Sequence, residues 1–252
     1  MKYLIINADD FGLNQDVNEG VIRAFISGAV SNATIMIKRE AFRDALSFAR
    51  ENRNFNVGLH LDLDNLLDFN RISPEPGDAQ ARFSPARISK LLESGHVLKN
   101  LDNEIEDQIK LFKNSGLPLS HIDGHHHLHA HPLIFPRLVE KMIKHDIHTV
   151  RIAENYDLVT YPPIEWEPSF YNKMKGFLLK NSITAADHFI SGITSHGLKD
   201  LKKGVTELMT HPGIKEPWRL RDLETISSEE WKEEMKARDI KLISFKDLHF
   251  RQ

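Results

Sequence analysis

Residues 3–12 read YLIINADDFG, an apolar run that passes directly into polar residues. Four apolar residues bounded in this way favour a short buried strand at residues 3–6. The carboxylates of Asp9 and Asp10 follow where this strand is expected to end. The next segment, residues 16–27, carries apolar residues at the spacing of an amphipathic helix, and Gly28 suits its C-terminal cap. This strand and this helix form the first of several strand–helix units.

The same alternation of short apolar runs and helical patterns continues along the chain. It predicts an α/β fold with a parallel sheet, either a closed barrel or a doubly wound layer. No low-complexity linker divides the 252 residues, so we expect one domain over residues 1–252. Residues 65–85 are too long for an ordinary connection, and we expect a lid loop or disorder there. Further strands are predicted at 33–37, 57–63, 119–123, 149–153, 188–190, 206–209 and 242–244, and further helices at 41–50, 86–94, 102–114, 133–145, 168–179 and 228–237.

The composition is that of an ordinary globular protein, with 40% hydrophobic and 27% charged residues. The formal net charge of −3 argues against a nucleic-acid partner, because no basic stripe dominates. No apolar run is long enough to span a bilayer and the N-terminus does not resemble a signal peptide, so we expect no membrane partner and a cytoplasmic location. The oligomeric state stays open, with a homodimer as one alternative. Because cysteine is absent, any metal must be bound by histidines and carboxylates.

A histidine-rich run, SHIDGHHHLHAHP at residues 120–132, holds six of the chain's 14 histidines together with Asp123. Buried ring nitrogens need partners, so such a run indicates metal binding, proton transfer or both. In an extended chain, residues 121, 123, 125, 127 and 129 would share one face. A catalytic zinc site uses three protein ligands, and the remaining histidines would support them or contact substrate. A flexible chelating loop is the alternative.

Other polar residues also come at predicted strand ends. Asp9 and Asp10 follow the first strand, His60 lies late in the third, and His211 precedes a Pro-Gly turn. The carboxyl ends of parallel strands share one edge of a sheet, so these side chains are expected to converge. Each has a simpler interpretation when taken alone: the Asp pair as a helix N-cap, His60 as an interior histidine, and His211 as a residue that caps its loop.

Four motifs occur in register: NADDFG at 7–12, GLHL at 58–61, HIDGHHHLH at 121–129 and THPG at 210–213. Together they resemble the YdjC-like family, which includes carbohydrate deacetylases. The resemblance implies a (β/α) barrel, TIM-like and often distorted, with seven or eight strands, related in layout to other polysaccharide deacetylases. It also implies one divalent metal ion bound by Asp10, His60 and His125, with Asp9 as the catalytic base and His211 as the catalytic acid.

The chain departs from the family's pattern after GLHL. Asp62-Leu63-Asp64-Asn65 stands where family members often carry a T-x-G-x-P-like segment. This departure concerns the loop that would contact substrate rather than the metal.

The expected activity is hydrolysis of an N-acetyl group on an amino sugar or a short chitooligosaccharide-like chain. The acetylated amino sugar would be the partner, and zinc or magnesium the metal, with manganese or cobalt as alternatives. His126 is expected to point away from the site, and Trp218 or Trp166 to stack on a sugar ring. Two other functions stay open, a metal-dependent isomerase or aldolase on the same barrel and a non-catalytic metal- or sugar-binding protein. The residues expected to contact substrate are His127, His129, Arg151 and Glu207.

Overall fold

The chain folds around a seven-stranded parallel sheet, seen here in a computed structural model. The structure describes residues 1–67, 89–90, 92–93, 95–152, 168–193, 198–199 and 201–251. Most of the predicted lid, and the predicted helix at 86–94 apart from a few residues, lie outside this part of the chain. The strands are β1 (Lys2–Phe11), β2 (Asn32–Ile35), β3 (Asn56–Leu61), β4 (Ile122–Gly124), β5 (His188–Ile190), β6 (Gly204–Thr210) and β7 (Ile240–Leu242).

The strand order is β4-β3-β2-β1-β6-β5, and β7 pairs with the start of β1. β1 is therefore the central strand. Every residue from Leu4 to Phe11 is buried, as expected for a strand covered on both faces. This burial explains why β1 runs five residues beyond the predicted 3–6 segment and includes Asp9 and Asp10.

The structure confirms the α/β class and the parallel sheet, but the sheet is a half-barrel, and a full TIM-like barrel is not confirmed. The gap in the ladders lies between β4 and β5. Two isolated parallel bridges, Ile122 to Val150 and Thr149 to Thr184, are the pairings described there. The predicted strand at 149–153 thus contributes single bridges instead of a ladder.

Helices flank the sheet and close its core. Among the described residues the helices do not include one long and apolar enough to cross a membrane. They are α1 (Gln15–Ile26), α2 (Phe42–Glu51), α3 (Asp64–Leu67), α4 (Gly95–Asn114), α5 (Phe135–Lys144), α6 (Pro168–Lys180), α7 (Pro217–Ser227) and α8 (Glu229–Ala237), with 3-10 helices at His125–Ala130 and Phe245–Arg251.

Two local differences from the sequence predictions affect the site. The helix α7 was not predicted, and Ser228, the first residue of the predicted helix 228–237, is instead the N-cap of α8, its hydroxyl oxygen accepting the Trp231 N–H at 3.1 Å. The strand predicted at 119–123 begins at Ile122 and gives way after Gly124 to the 3-10 helix. The histidine run therefore turns immediately after β4 instead of continuing in extended conformation.

Candidate metal centre and active site

The end of β1 directs two adjacent carboxylates to two different places. In a regular strand, neighbouring side chains point to opposite faces. Here the pairing with β2 shifts register between Ala8 and Phe11, and Asp10 adopts the left-handed region with φ 67°. This conformation costs a non-glycine residue on the order of 1–3 kcal/mol and is typical of functional sites. The bulge lets Asp9 contact one set of groups and Asp10 another.

Asp10 lies between two imidazole rings. Its Oδ1 atom is 2.9 Å from Nδ1 of His125 and 3.2 Å from Nε2 of His60. One donor atom from each of these residues lies within 4.8 Å of the others. Oδ1 is buried, yet among the described residues it makes no hydrogen bond of acceptable geometry. One carboxylate and two imidazoles converging on an unsatisfied oxygen fit a divalent cation.

The second oxygen of Asp10 is held from α7. Oδ2 accepts a hydrogen bond from an Arg219 guanidinium nitrogen at 2.7 Å. Burial raises the pKa of Asp10, but the charge of His125 and the contacts with both rings lower it by a larger amount. The net result is a pKa well below the ordinary value. Asp10 is therefore an anion across the physiological range, as a metal ligand must be.

His60 is oriented by Asp123. Its Nδ1 atom is 2.7 Å from Oδ1 of Asp123, and because a carboxylate accepts, Nδ1 carries a proton and Nε2 is the ring nitrogen that faces Asp10. A carboxylate behind a histidine is the usual support of a metal ligand. Burial lowers the pKa of His60, but the charge of Asp123 and the hydrogen bonds raise it more, so the pKa lies well above its ordinary value. The pocket thus favours positive charge.

Arg151 is completely buried and connects three carboxylates. Its two terminal nitrogens donate to the two oxygens of Asp9, each at 2.7 Å, and its Nε donates to Glu207 at 2.6 Å. One terminal nitrogen also lies 3.0 Å from Asp123. A bidentate guanidinium–carboxylate pair is strong and directional. Asp9 is therefore fixed in orientation, and its Oδ1 accepts a further hydrogen bond from Asn7 at 2.7 Å.

Glu207 shares this single cation with two other carboxylates. Burial raises the pKa of Glu207 to about 7, although the Arg151 charge opposes the rise. A carboxyl group whose pKa is higher in the folded state stabilises the fold most at low pH. That contribution is lost as the pH rises from the ordinary value of 4.5 through about 7.

We predict that Glu207→Gln weakens the pH dependence of stability. The amide keeps an acceptor for Arg151 but binds no proton, so its free energy of unfolding should change less between about pH 4.5 and 7 than that of the wild type. Urea unfolding at several pH values measures this. Glu216→Gln, on an exposed carboxylate paired with Arg219, is the control. Parallel curves for wild type and Glu207→Gln would contradict the prediction.

The histidine run after β4 is not the single extended face expected from the sequence. His126 and His127 both have left-handed backbone, with φ of 54° and 56°. This turn sends successive rings to different surroundings. The ring of His121, which precedes β4, stacks on Phe245 at 3.7 Å, and the ring of His127 lies edge-on to Phe189 at 5.5 Å. His125 alone of the run contacts Asp10 in the described part of the chain.

Burial keeps several of these rings neutral. It lowers the pKa of His121 to about 3 and of His129 to about 4. The pKa of His127 also falls well below the ordinary value, mainly through burial and the charge of Arg151. His129 is fully buried, with Nε2 3.1 Å from the carbonyl oxygen of Arg151, so it donates there. His129 thus supports the strand segment that carries Arg151.

His126 does not point away from the site, so that expectation is wrong. Its ring lies over that of His125, with centroids 3.8 Å apart, and its Nε2 is 3.7 Å from Oδ1 of Asp64. Burial lowers the pKa of His126 to about 2.

His211 is held in the turn after β6. Its backbone N–H donates to Asp222 at 2.9 Å, and its ring meets that of Trp218 edge to face at 5.5 Å. The turn packs tightly on α1, because a Cβ atom built on Gly20 would lie 2.4 Å from the Gly213 α-carbon. Burial lowers the pKa of His211, while the charges of Asp10 and Asp9 oppose this. The pKa of His211 therefore depends on the charges of both carboxylates at the end of β1.

The structure brings together Asp10, His60 and His125, and separately Asp9, Arg151 and Glu207. Sequence reasoning gave no role to Asp123 and did not notice Arg219. Asp123 could have been found from its spacing of two from His125 on a strand end. Arg219 carried no signal, since its helix was not predicted. Trp218 is 43% exposed beside His211, and Trp166 lies outside the described residues.

The chain is similar to known proteins over most of its length. The family model described as YdjC-like protein matches residues 3–237. A carbohydrate deacetylase of Brevibacillus brevis is 29% identical over 262 residues, covering 97% of this chain and 99% of the relative. A carbohydrate deacetylase of Clostridium beijerinckii is 28% identical over 258 residues, covering 97% and 99%.

A solved structure from Enterococcus faecalis, described as a cellobiose-phosphate cleavage protein, has a TM-score of 0.70 at 21% identity. It covers 98% of both chains and therefore shares the fold. The match of the family model over nearly the whole sequence shows that the chain belongs to the YdjC-like family.

Proposed function

We propose that this protein is a metal-dependent hydrolase that removes an N-acetyl group from an amino sugar or a short chitooligosaccharide-like chain. The observation that carries the proposal is that the adjacent carboxylates of Asp9 and Asp10 contact different groups. Asp10 lies 2.9 and 3.2 Å from two imidazole nitrogens, while Asp9 is held by Arg151. The carbohydrate deacetylases among its relatives support a sugar substrate.

Asp10, His60 and His125 are the residues that would hold the metal ion. Their mixed donor set suits zinc, with magnesium, manganese and cobalt as alternatives. When bound, such an ion supplies Lewis acidity toward an amide carbonyl and lowers the pKa of water. His60 is already turned by Asp123 to present Nε2, and Arg219 restrains the far oxygen of Asp10.

Asp9 is proposed to take the proton of the attacking water. Its carboxylate keeps lone pairs beyond those that accept from Arg151 and Asn7, so it can still accept a proton. Arg151 positions it, and Glu207 positions Arg151 through the 2.6 Å contact with Nε. We therefore propose that Arg151, Glu207 and His129, all buried and bonded within the protein, position the base instead of contacting sugar hydroxyls.

His211 is proposed to protonate the departing amine, which cannot leave as an anion near neutral pH. Burial lowers the pKa of His211, which makes its protonated form a stronger acid, while the charges of Asp10 and Asp9 favour that protonated form. Trp218, exposed beside it, offers a flat apolar face for a pyranose ring. His127 remains the candidate for a substrate contact from the histidine run.

We predict acetate release from N-acetylated chitooligosaccharides. Activity should be lost after treatment with a chelator and restored by adding a divalent metal, since Asp10, His60 and His125 alone provide no Lewis acid. Enzymatic detection of acetate measures the rate, with chelator-treated enzyme reloaded with each metal in turn. His211→Ala should be slower, by about 10²–10⁴-fold for a lost general acid. Conversion of a sugar without acetate release would instead indicate an isomerase or aldolase, and full activity in chelator would reject metal dependence.

A further inference from the structure

A second group of donors lies beside the metal centre, on the more accessible side of His125. It consists of Asp64 at the start of α3 and His126 in the turn after β4. Nε2 of His126 is 3.7 Å from Oδ1 of Asp64, and Nε2 of His125 is 3.8 Å from Oδ2 of the same carboxylate. One donor atom from each of the three residues lies within 4.8 Å of the others.

These separations suit a shared ion better than a hydrogen bond. A nitrogen and an oxygen 3.7 Å apart are beyond hydrogen-bond range. Two ligands bound at about 2.1 Å each can be up to about 4.2 Å apart across one zinc ion. Oδ1 of Asp64 is itself buried and makes no hydrogen bond within the part of the chain that the structure describes. Oδ1 of Asp10, in the metal centre, is likewise buried and without a hydrogen bond to the described residues.

The surrounding charges leave the group negative. Arg39 donates to Oδ2 of Asp64 at 2.8 Å, so that oxygen is occupied and Oδ1 faces His126. Arg39 also pairs with Asp62 at 2.6 Å. One guanidinium between two carboxylates leaves a net charge of −1. A cation at Oδ1 therefore gains attraction that the nearby arginine does not cancel.

We propose that Asp64 and His126 form a second divalent-cation site, adjacent to the first and bordered by the outer nitrogen of His125. It has two protein donors, so water completes the coordination and binding is weaker than at the three-donor centre. An imidazole with a carboxylate selects zinc or cobalt over magnesium. The left-handed backbone at His126, which costs free energy, brings this ring over that of His125 and toward Asp64.

Zinc titration of untagged, chelator-stripped protein tests the proposal, with calorimetry and elemental analysis as readouts independent of turnover. We expect two equivalents of zinc per chain, one tight and one weaker. Asp64→Asn and His126→Asn should each lose the weaker equivalent and keep the tight one. Asparagine is chosen at position 126 because it tolerates left-handed backbone and its amide is a poor zinc ligand. His148→Ala, at an exposed histidine paired with Asp146, is the matched control and should keep both.

The outcome also separates this proposal from the deacetylase proposal. Asp10→Asn should lose the tight equivalent and keep the weaker one. If Asp10→Asn retains both equivalents while His126→Asn loses one, the first site is misassigned and the second stands. A wild-type protein that binds a single zinc ion, or a His126→Asn protein that still binds two, would overturn the second site. Circular dichroism of each variant verifies that it is folded.

Discussion

Replacing Arg151 with methionine is expected to lower the free energy of unfolding at pH 7 by about 3–5 kcal/mol, the cost of removing one partner from a buried ion pair. The guanidinium is completely buried and contacts the carboxylates of Asp9, Asp123 and Glu207. Methionine fills much of the same volume but leaves these carboxylates without their cation. The loss should therefore come from uncompensated charge and not from a cavity.

The pH dependence identifies that cause. Without the Arg151 charge, which lowers the pKa values of Asp123 and Glu207, burial should raise both pKa values in the folded state. The variant should then lose stability as the pH rises, and its deficit should be smaller at pH 5 than at pH 7. Urea unfolding at both values measures this. Arg137→Met, which breaks a partly exposed ion pair with Asp102, is the matched control and should cost less than about 1 kcal/mol.

If Arg151→Met fails to fold, Arg151→Lys supplies the test. Lysine keeps the positive charge but lacks the planar fork that reaches Asp9 with two nitrogens and Glu207 with a third. Its stability should lie between those of the wild type and the methionine variant, and its rate of acetate release should fall. Equal costs for the substitutions at positions 137 and 151 would contradict the account of the buried network.

Asparagine substitutions at the two adjacent aspartates are expected to impair different properties of the protein, the reaction rate at position 9 and metal binding at position 10. Asp9→Asn should keep its metal and lose about 10²–10⁴-fold in kcat, the contribution of a general base. Asp10→Asn should lose the tightly bound metal ion, because its Oδ1 is the carboxylate donor 2.9 Å from His125 and 3.2 Å from His60. The contrast is informative because the residues are neighbours and the substitution is the same.

Metal content after dialysis and the rate of acetate release distinguish the two failures. Asp146→Asn, on an exposed aspartate away from the site, serves as the control and should match the wild type in both. An Asp9→Asn protein with the wild-type rate would move the base elsewhere. An Asp10→Asn protein with full metal content would reject the assigned ligand.

The convergence of Asp10, His60 and His125 could be predicted from the sequence because parallel strands end at one edge of a sheet. The positions of the individual histidine rings could not be predicted. Extended backbone after Gly124 would have aligned His125 and His127, but left-handed conformations at His126 and His127 separate them. Left-handed backbone is uncommon at residues other than glycine, and no local sequence pattern in this run predicts it.

The burial of charged residues was the other feature that could not be predicted from the sequence. Arg151 and Glu207 were expected to contact substrate, because both lie on predicted strands that face the same edge of the sheet. Their pairing depends on contacts 56 positions apart in the sequence. Arg219 was missed for a different reason. Its helix α7 buries few apolar residues, so the only sequence signal was Pro217 at its first turn.

The buried arginine also bears on how the chain folds. Asp9 and Arg151 are 142 positions apart, and Glu207 comes from β6, on the other side of β1 from β2. A partly assembled sheet that lacks one of these strands must either bury an unbalanced charge or leave the cluster in water. Both alternatives are costly, so the network penalises half-formed states more than it stabilises the finished one. We infer that β1, β6 and the segment that carries Arg151 come together in one cooperative step, with the distant contacts of Arg151 slowing that step.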